Sequence, residues 1–190
     1  MRETMQEYEE LMGELIELGI TANPVCPFAC CIIDPCGQIL VTAANAMHIS
    51  PLYTAEGLAM HMLAGNYHCK PEQKLTLVTN AEPDSGAMAA IIWARCSGIN
   101  ISRIIYGASR AGIKQIWDCD FSFTAQQMLE SVTEEHRPEL IGQVIEEDCL
   151  ESFREGRELK EEGDTPVMSL DLDDYWMAGD WLLDLDDPVE

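Results

Sequence analysis

Basic residues are scarce in this chain of 190 residues: 11 lysines and arginines stand against 34 aspartates and glutamates, which gives a formal net charge of −23. A field of this sign repels phosphate backbones, so we expect no nucleic-acid partner. No apolar run approaches the roughly 18 residues that span a bilayer. The acidic start, MRETMQEYEE, lacks the basic-then-apolar plan of a signal peptide. We therefore expect a cytoplasmic protein that makes no contact with membranes.

The eight cysteines include no C-x2-C pair, the spacing most typical of a structural zinc site. Four of them, Cys26, Cys30, Cys31 and Cys36, cluster near the start of the chain, which leaves a zinc interpretation open. Cys30 and Cys31, however, would face opposite sides of a strand. Small buried thiols, reduced in the cytosol, are the better interpretation for most of them.

Hydrophobic periodicity and turn residues predict an alternation of helices and strands. The predicted helices cover residues 2–19, 54–63, 85–96, 121–132 and 147–160. The predicted strands cover residues 27–33, 38–44, 74–79, 101–106 and 140–145. The turn Asp34-Pro35-Cys36-Gly37 joins the first two strands as a hairpin. Strands that alternate with helices imply an α/β fold, in which helices cover both faces of a sheet with parallel members.

Two segments carry the chemistry: SPLYTAE at 50–56 and EPDSGAMAAIIWA at 82–94. Each resembles one half of the signature of the zinc-dependent nucleobase and nucleoside deaminases, H-x-E on one helix and P-C-x-x-C at the start of the next. The first half reads Thr54-Ala55-Glu56 here, and the second reads PDSGA from Pro83. The glutamate is retained, whereas the three expected zinc ligands are replaced by Thr54, Asp84 and Ala87.

The resemblance covers about residues 1–160 and is strongest to the guanine deaminase and tRNA adenosine deaminase branch of the cytidine deaminase-like superfamily. Pro27-Phe28-Ala29-Cys30 stands where that family has P-F-G-A, and Asn45 stands where it has a substrate-contacting asparagine. The segment that begins at Asp120, DFSF, loosely resembles the D-D-S-F of guanine deaminases. The resemblance implies a three-layer α/β/α sandwich with a mixed sheet of about five strands. It also implies a homodimer with its interface at residues 97–116.

The last 28 residues have no counterpart in that family, so we divide the chain into a deaminase-like domain, 1–162, and an acidic tail, 163–190. One interpretation is a disordered acidic tail. The other is a segment that docks on the body or on a neighbouring subunit through Trp176 and Trp181, since free tails rarely carry two tryptophans.

The replaced ligands make the usual zinc chemistry a poor fit. Threonine is a weak zinc ligand, alanine is none, and Asp84 supplies one oxygen at most. We therefore expect no metal cofactor, although a relocated zinc site built from His48, Asp84 and Glu56 stays open. Three interpretations remain for Glu56: a general acid and base, a structural brace, or a relic of a lost activity.

The leading hypothesis is a divergent enzyme that acts on a small nitrogen heterocycle, or a related amidine or amide, without the usual zinc. Glu56 would be the general acid and base beside a second carboxylate, Asp84, because two nearby carboxylates push their pKa values apart. Cys30 is the candidate nucleophile, and the alternative, which we favour, is that it is a small residue of the core. The candidate substrate-binding residues are Phe28, Asn45, Thr54, Asp120 and the helix-opening amides of Ser85, Gly86 and Ala87. The alternative is a catalytically inactive subunit that binds a ligand or a protein partner.

Overall fold

The computed structural model describes residues 5–117 and 123–163. In chain order the elements are α1 Met5–Ala22, β1 Ala29–Ile33, β2 Ile39–Ala44, α2 Ala55–Asn66, β3 Leu75–Ala81, α3 Ser85–Cys96, β4 Ile101–Ala108, α4 Arg110–Ile116, α5 Ala125–Glu130, β5 Glu139–Ile141 and α6 Glu146–Glu162. Asp120 and the tail beyond Gly163, with Trp176 and Trp181, lie outside the described residues.

The five strands form one mixed sheet in the order β2-β1-β3-β4-β5. β1 pairs antiparallel with both β2 and β3, whereas β3 pairs parallel with β4, and β4 pairs parallel with β5. The carboxyl ends of β2, β3 and β4 therefore meet the amino end of β1 at the same edge of the sheet. The residues that follow or precede these strands at that edge, such as Phe28, Asn45, Glu82 and Arg110, are brought together there.

Helices cover both faces of the sheet, so the predicted three-layer α/β/α sandwich with a mixed sheet is confirmed. One buried cluster joins the sheet to α2, α3 and α5, and the other joins it to α1, α4 and α6. Neighbouring residues of β1 alternate between the two layers: Cys30 packs in the first cluster and Cys31 in the second. The predicted opposite orientation of these two thiols is thus confirmed.

Two predicted elements are shorter in the structure, and a third element was not predicted. The helix predicted at 121–132 is described only as Ala125–Glu130, and the strand predicted at 140–145 is the shorter Glu139–Ile141. The helix α4 was not predicted. Its seven residues, RAGIKQI, are too short for a helical period to stand out, and they contain a glycine, which lowers helix propensity.

The loop between α1 and β1 is held between helices from opposite ends of the chain. A Cβ on Gly19 of α1 would lie 2.2 Å from the carbonyl oxygen of Pro27, and one on Gly156 of α6 would lie 2.7 Å from that of Pro24. Only glycine permits these close approaches. Asn80 of β3 fixes the end of the same loop, because it accepts from the amide of Ala29 and donates to the carbonyl of Pro27, at 2.9 and 2.7 Å.

None of the helices described in the two ranges is both long and apolar enough to cross a membrane.

Candidate active site

A cavity of about 340 Å³ opens at the edge of the sheet where β2, β3 and β4 end and β1 begins. Its volume lies within the range of pockets that hold small molecules. It is lined by Cys26, Phe28, Asn45, Met47, Thr54, Ala55, Glu56, Glu82, Asp84, Arg110, Ile113, Trp117 and Lys160. Five of the predicted site residues, Phe28, Asn45, Thr54, Glu56 and Asp84, meet in it.

Glu56 is the buried acid of this cavity. It lies in the first turn of α2 with only 5% of its surface exposed, and its Oε1 accepts a hydrogen bond from the hydroxyl of Thr79 at 2.7 Å. Removal from water raises the pKa of the Glu56 carboxyl above its usual value, and the nearby Asp84 charge raises it further. The bond from Thr79 and the Arg110 cation lower that pKa, but burial dominates. Such a carboxyl is suited to giving and taking a proton.

Thr54 and Asp84, which stand at two of the family's ligand positions, cap helices. The Oγ1 of Thr54 accepts from the amide of Gly57 at 3.1 Å and begins α2. The Oδ1 of Asp84 accepts from the amide of Ala87 at 2.8 Å and begins α3. A side-chain N-cap satisfies a helix amide that has no partner in the helix, and its loss typically costs about 1 kcal/mol.

The donor set at these positions does not fit a zinc ion. A hydroxyl and a carboxylate already engaged with backbone amides, together with the methyl group of Ala87, do not resemble the thiolates and imidazoles that hold zinc. Within residues 5–117 and 123–163, no three His, Cys, Asp or Glu side chains are grouped as a metal site requires. The relocated site considered for His48 is not formed there, since His48 is exposed and does not line the cavity.

Glu82 is a buried carboxylate that sequence reasoning missed. It directly follows β3 and is 7% exposed. Its two oxygens accept from the backbone amides of Arg110 and Ala125, each at 2.7 Å. These amides open α4 and α5, so one side chain fixes the first turns of two helices from opposite layers of the sandwich.

Arg110 brings a positive charge to the same cavity. Its Nε is buried, and within the part of the chain that the structure describes it has no hydrogen-bond partner. An unpaired buried donor typically costs about 1–3 kcal/mol. The Arg110 cation lowers the pKa of Glu56, yet the two side chains form no ion pair among the described residues. The guanidinium is therefore near the acid but does not neutralise it.

Aromatic rings form the apolar wall of the cavity. Phe28 lies with its ring centroid 5.5 Å from that of Trp117 and 4.6 Å from that of Phe153, and Trp117 and Phe153 are 5.8 Å apart. Phe28 and Trp117 line the cavity, whereas Phe153 of α6 is fully buried behind them. Planar aromatic surface beside buried acids suits a flat ligand that carries polar edges.

Asn45 holds the rim of the cavity through both ends of its amide. Its Nδ2 donates to the carbonyl of Cys26 at 3.1 Å, and its Oδ1 accepts from the amide of Met47 at 2.9 Å. These bonds join the loops on either side of the β1–β2 hairpin. Asn45 thus has a structural role at the position where the family places a substrate contact.

The other predicted site residues within the described part of the chain do not line the cavity. Cys30 is fully buried in the core cluster, and burial, then the Glu56 charge, raises the pKa of its thiol well above the usual value. This environment favours the core interpretation over a thiolate nucleophile. The amide nest predicted at Ser85, Gly86 and Ala87 is not available as such, because the Ala87 amide donates to Asp84.

The thiol in the cavity wall is Cys26, and it is not an activated nucleophile either. Burial raises the pKa of Cys26 to about 11, although the Lys160 charge and a hydrogen bond with Asn45 lower it. A thiol with this pKa is protonated near neutral pH and reacts poorly with electrophiles. The carboxyl of Glu56 is therefore the better candidate for proton transfer.

Solved structures with a similar fold include deaminases of two kinds. A mutant of the protein NE0047 in complex with 8-azaguanine is 19% identical, covers 80% of this chain and 86% of its own, and gives a TM-score of 0.66. A guanine deaminase from Nitrosomonas europaea is 19% identical, with 79% and 84% covered and a TM-score of 0.63. A tRNA:A34 deaminase is 18% identical, with 74% and 99% covered and a TM-score of 0.53.

These likenesses show that the chain has the same fold as these deaminases, which is the fold that the sequence resemblance implied. At such low identity they carry the fold alone. No protein-family model matches the sequence, and no curated protein matches it.

The sequence did contain signals for two of the missed residues. Glu82 and Arg110 come soon after β3 and β4, and ligand sites in open α/β sheets lie outside the carboxyl ends of such strands. Trp117 and Lys160 gave no comparable signal, because only the packing of α4 and α6 places them at the cavity.

Proposed function

We propose that this protein is a divergent deaminase-fold enzyme that acts on a small nitrogen heterocycle, or a related amidine or amide, without the usual catalytic zinc. One observation carries the proposal: Glu56, the acid retained from the signature, is buried in a cavity of ligand size, where its pKa is raised. The fold shared with guanine and tRNA adenosine deaminases supports the substrate class.

The proposed reaction replaces an amino group on a ring carbon by oxygen from water. Glu56 takes a proton from the water as its oxygen adds to that carbon, and passes the proton to the ring nitrogen. A second proton moves from the new hydroxyl, through Glu56, to the amino group. The carbon–nitrogen bond then breaks, and the products are the carbonyl form of the ring and ammonia. Burial keeps the pKa of Glu56 high, with a smaller contribution from the Asp84 charge, and the Thr79 hydroxyl orients its carboxyl.

The test is whether chelator-treated protein turns over a panel of aminopurines, aminopyrimidines and simple amidines. Turnover is measured as the release of ammonia. Substitution Glu56→Gln should lower kcat by about 100-fold or more, since general acid and base catalysis typically contributes that much. Glu139→Gln, the same change at an exposed glutamate, serves as the matched control. Full turnover by Glu56→Gln would refute the role of Glu56. Activity that appears only when zinc is added would refute metal independence.

A second candidate, a catalytically inactive binding subunit, is favoured by the helix-capping roles of Thr54 and Asp84. These contacts account for both residues without any chemistry. A protein that binds ligands from the panel, with equal affinity in the wild type and Glu56→Gln, but releases no ammonia would be assigned to this class.

The proposed assembly is a homodimer, as the resemblance implies for residues 97–116. Trp93, near the end of α3 that leads into this region, is 75% exposed in the single chain, and a second copy of the chain is the proposed partner. Light scattering of the purified protein should give twice the mass of one chain. The mass of a single chain would refute the proposal.

A further inference from the structure

The cavity holds five charged side chains, and their hydrogen-bonding states differ by sign. The acids are Glu56, Glu82 and Asp84, and the bases are Arg110 and Lys160. A side chain whose hydrogen bonds are already made within the protein has less capacity left for a ligand than one that has no partner. The pairing of each group therefore indicates which kind of ligand the cavity accepts.

Each acid accepts at least one hydrogen bond from the protein. Both oxygens of Glu82 accept backbone amides at 2.7 Å, and Asp84 accepts the amide of Ala87 at 2.8 Å. Glu56 accepts the Thr79 hydroxyl, and its raised pKa favours the neutral form compared with an exposed glutamate.

The bases are not engaged. Among the residues that the structure describes, the side chains of Arg110 and Lys160 take part in no ion pair and no hydrogen bond. The buried Nε of Arg110 is the more telling of the two, because a buried donor without a partner is rare in proteins and calls for an explanation. A guanidinium presents several N–H groups in a plane, which matches the two oxygens of a carboxylate.

Backbone hydrogen bonds fix the position of Arg110 at the cavity. Its backbone amide is bound to Glu82, and the preceding amide, that of Ser109, donates to Glu146 at 3.1 Å. The start of α4 is thus fixed, while the side chain keeps its full donor capacity. Two acids, Glu82 and Glu146, bind the peptide groups around Arg110, and in the described part of the chain neither forms an ion pair with its guanidinium.

We propose that the cavity selects an anionic heterocycle, a flat ring that carries a carboxylate or comparable oxyanion, with Arg110 as the residue that binds the anionic group and Lys160 as a second cation at the rim. The ring itself lies against Phe28 and Trp117. This inference rests on the proposed function for the nature of the ring and adds the charged substituent. It runs against the overall charge of −23, which would otherwise repel such a ligand.

The test compares two probes that share one ring, orotate and uracil, of which only orotate carries a carboxylate. Titration calorimetry on the full chain should show orotate binding at least tenfold more tightly than uracil. Arg110→Gln should lower the affinity for orotate at least tenfold and leave that for uracil unchanged. Lys114→Gln removes the same charge from the exposed face of α4, outside the cavity, and should leave both affinities unchanged.

Three results would overturn the inference: equal affinity for the two probes, equal loss of both in Arg110→Gln, or no binding of orotate. A thermal melt of each variant shows whether a loss reflects unfolding, and Arg110→Lys, which retains the charge, should then recover part of the orotate affinity. The outcome is independent of turnover. Selective orotate binding without catalysis would leave this inference standing and refute the proposed enzyme. Turnover of neutral rings without preference for an anion would refute this inference and leave the proposed enzyme standing.

Discussion

The carboxylate of Glu82 ties two helices to the sheet, and its replacement by glutamine should be costly. Glu82→Gln keeps the shape of the side chain but replaces one oxygen by the NH2 group of an amide. This NH2 group is a donor, so it cannot accept a hydrogen bond from the backbone amide that it faces. One of the two 2.7 Å bonds, to Arg110 or to Ala125, is then lost, and a buried amide is left unpaired. A hydrogen bond to a charged group contributes about 1.5–3 kcal/mol, and the unpaired donor adds to its loss.

We therefore expect Glu82→Gln to lower the free energy of unfolding by roughly 2–4 kcal/mol. For a chain of this length, 1 kcal/mol corresponds to a shift in Tm of about 2–4 °C, so the expected fall is roughly 5–15 °C. Differential scanning calorimetry at neutral pH measures it. Urea titration gives an independent value of the free energy, provided that the unfolding is a single transition.

The matched control is Glu139→Gln, the same chemical change at the exposed ion pair with Arg103. That pair has an N–O distance of 2.8 Å, with side chains 58% and 36% exposed for Glu139 and Arg103. Exposed pairs typically contribute about 0–1 kcal/mol, so the control should move Tm by no more than a few degrees. If the two variants melt together, the proposed role of Glu82 in fixing α4 and α5 is wrong.

Three further changes follow from the same contacts. Because burial raises the pKa of Glu56 in the folded state, the folded protein holds that proton more tightly than the unfolded chain, and stability falls as pH rises above the ordinary value of 4.5. Glu56→Gln should therefore melt above the wild type at about pH 8, with the difference vanishing near pH 4; a difference that does not depend on pH would contradict this. Asn80→Ala removes the side-chain partner of the amide of Ala29 and of the carbonyl of Pro27. Calorimetry should show that the free energy of unfolding falls by about 2–4 kcal/mol. The triple change Thr54→His, Asp84→Cys and Ala87→Cys restores the ligand pattern and removes two N-caps, so it should cost about 2 kcal/mol without zinc and recover on binding one equivalent, with metal content by elemental analysis as the check.

Much of the architecture could be predicted because local and global signals agree in this chain. For example, the apolar period predicts α1, the turn residues that bound an apolar run predict β1, and the N-cap residue Asp84 predicts the start of α3. The structure has each of these elements. The position of Glu56 near the start of α2, in an enclosed cavity, was also predicted, because the resemblance to the deaminase signature places it there; its catalytic role stays a prediction. Strong local patterns of this kind do not depend on distant packing.

The parts that could not be predicted depend on distant contacts. The sequence places Cys30 beside the site, but the alternation along β1 turns its side chain into the core under α2. Arg110 and Lys160 are 50 residues apart and share a cavity only because α4 and α6 lie on the same face of the sheet. The capping roles of Thr54 and Asp84 depend on where each helix begins, which sequence patterns locate less well than the helix itself.

The loop held between Gly19 and Gly156 has a consequence for how the chain matures during translation. The cavity wall starts with Cys26 and ends with Lys160, so roughly 130 residues must be made between them, which at about 5–20 residues per second takes roughly 7–26 s. Throughout that interval the early strands exist without the helix that covers the loop. A nascent chain therefore offers no finished ligand site until α6 has been made, and no ligand can stabilise it through this cavity before then.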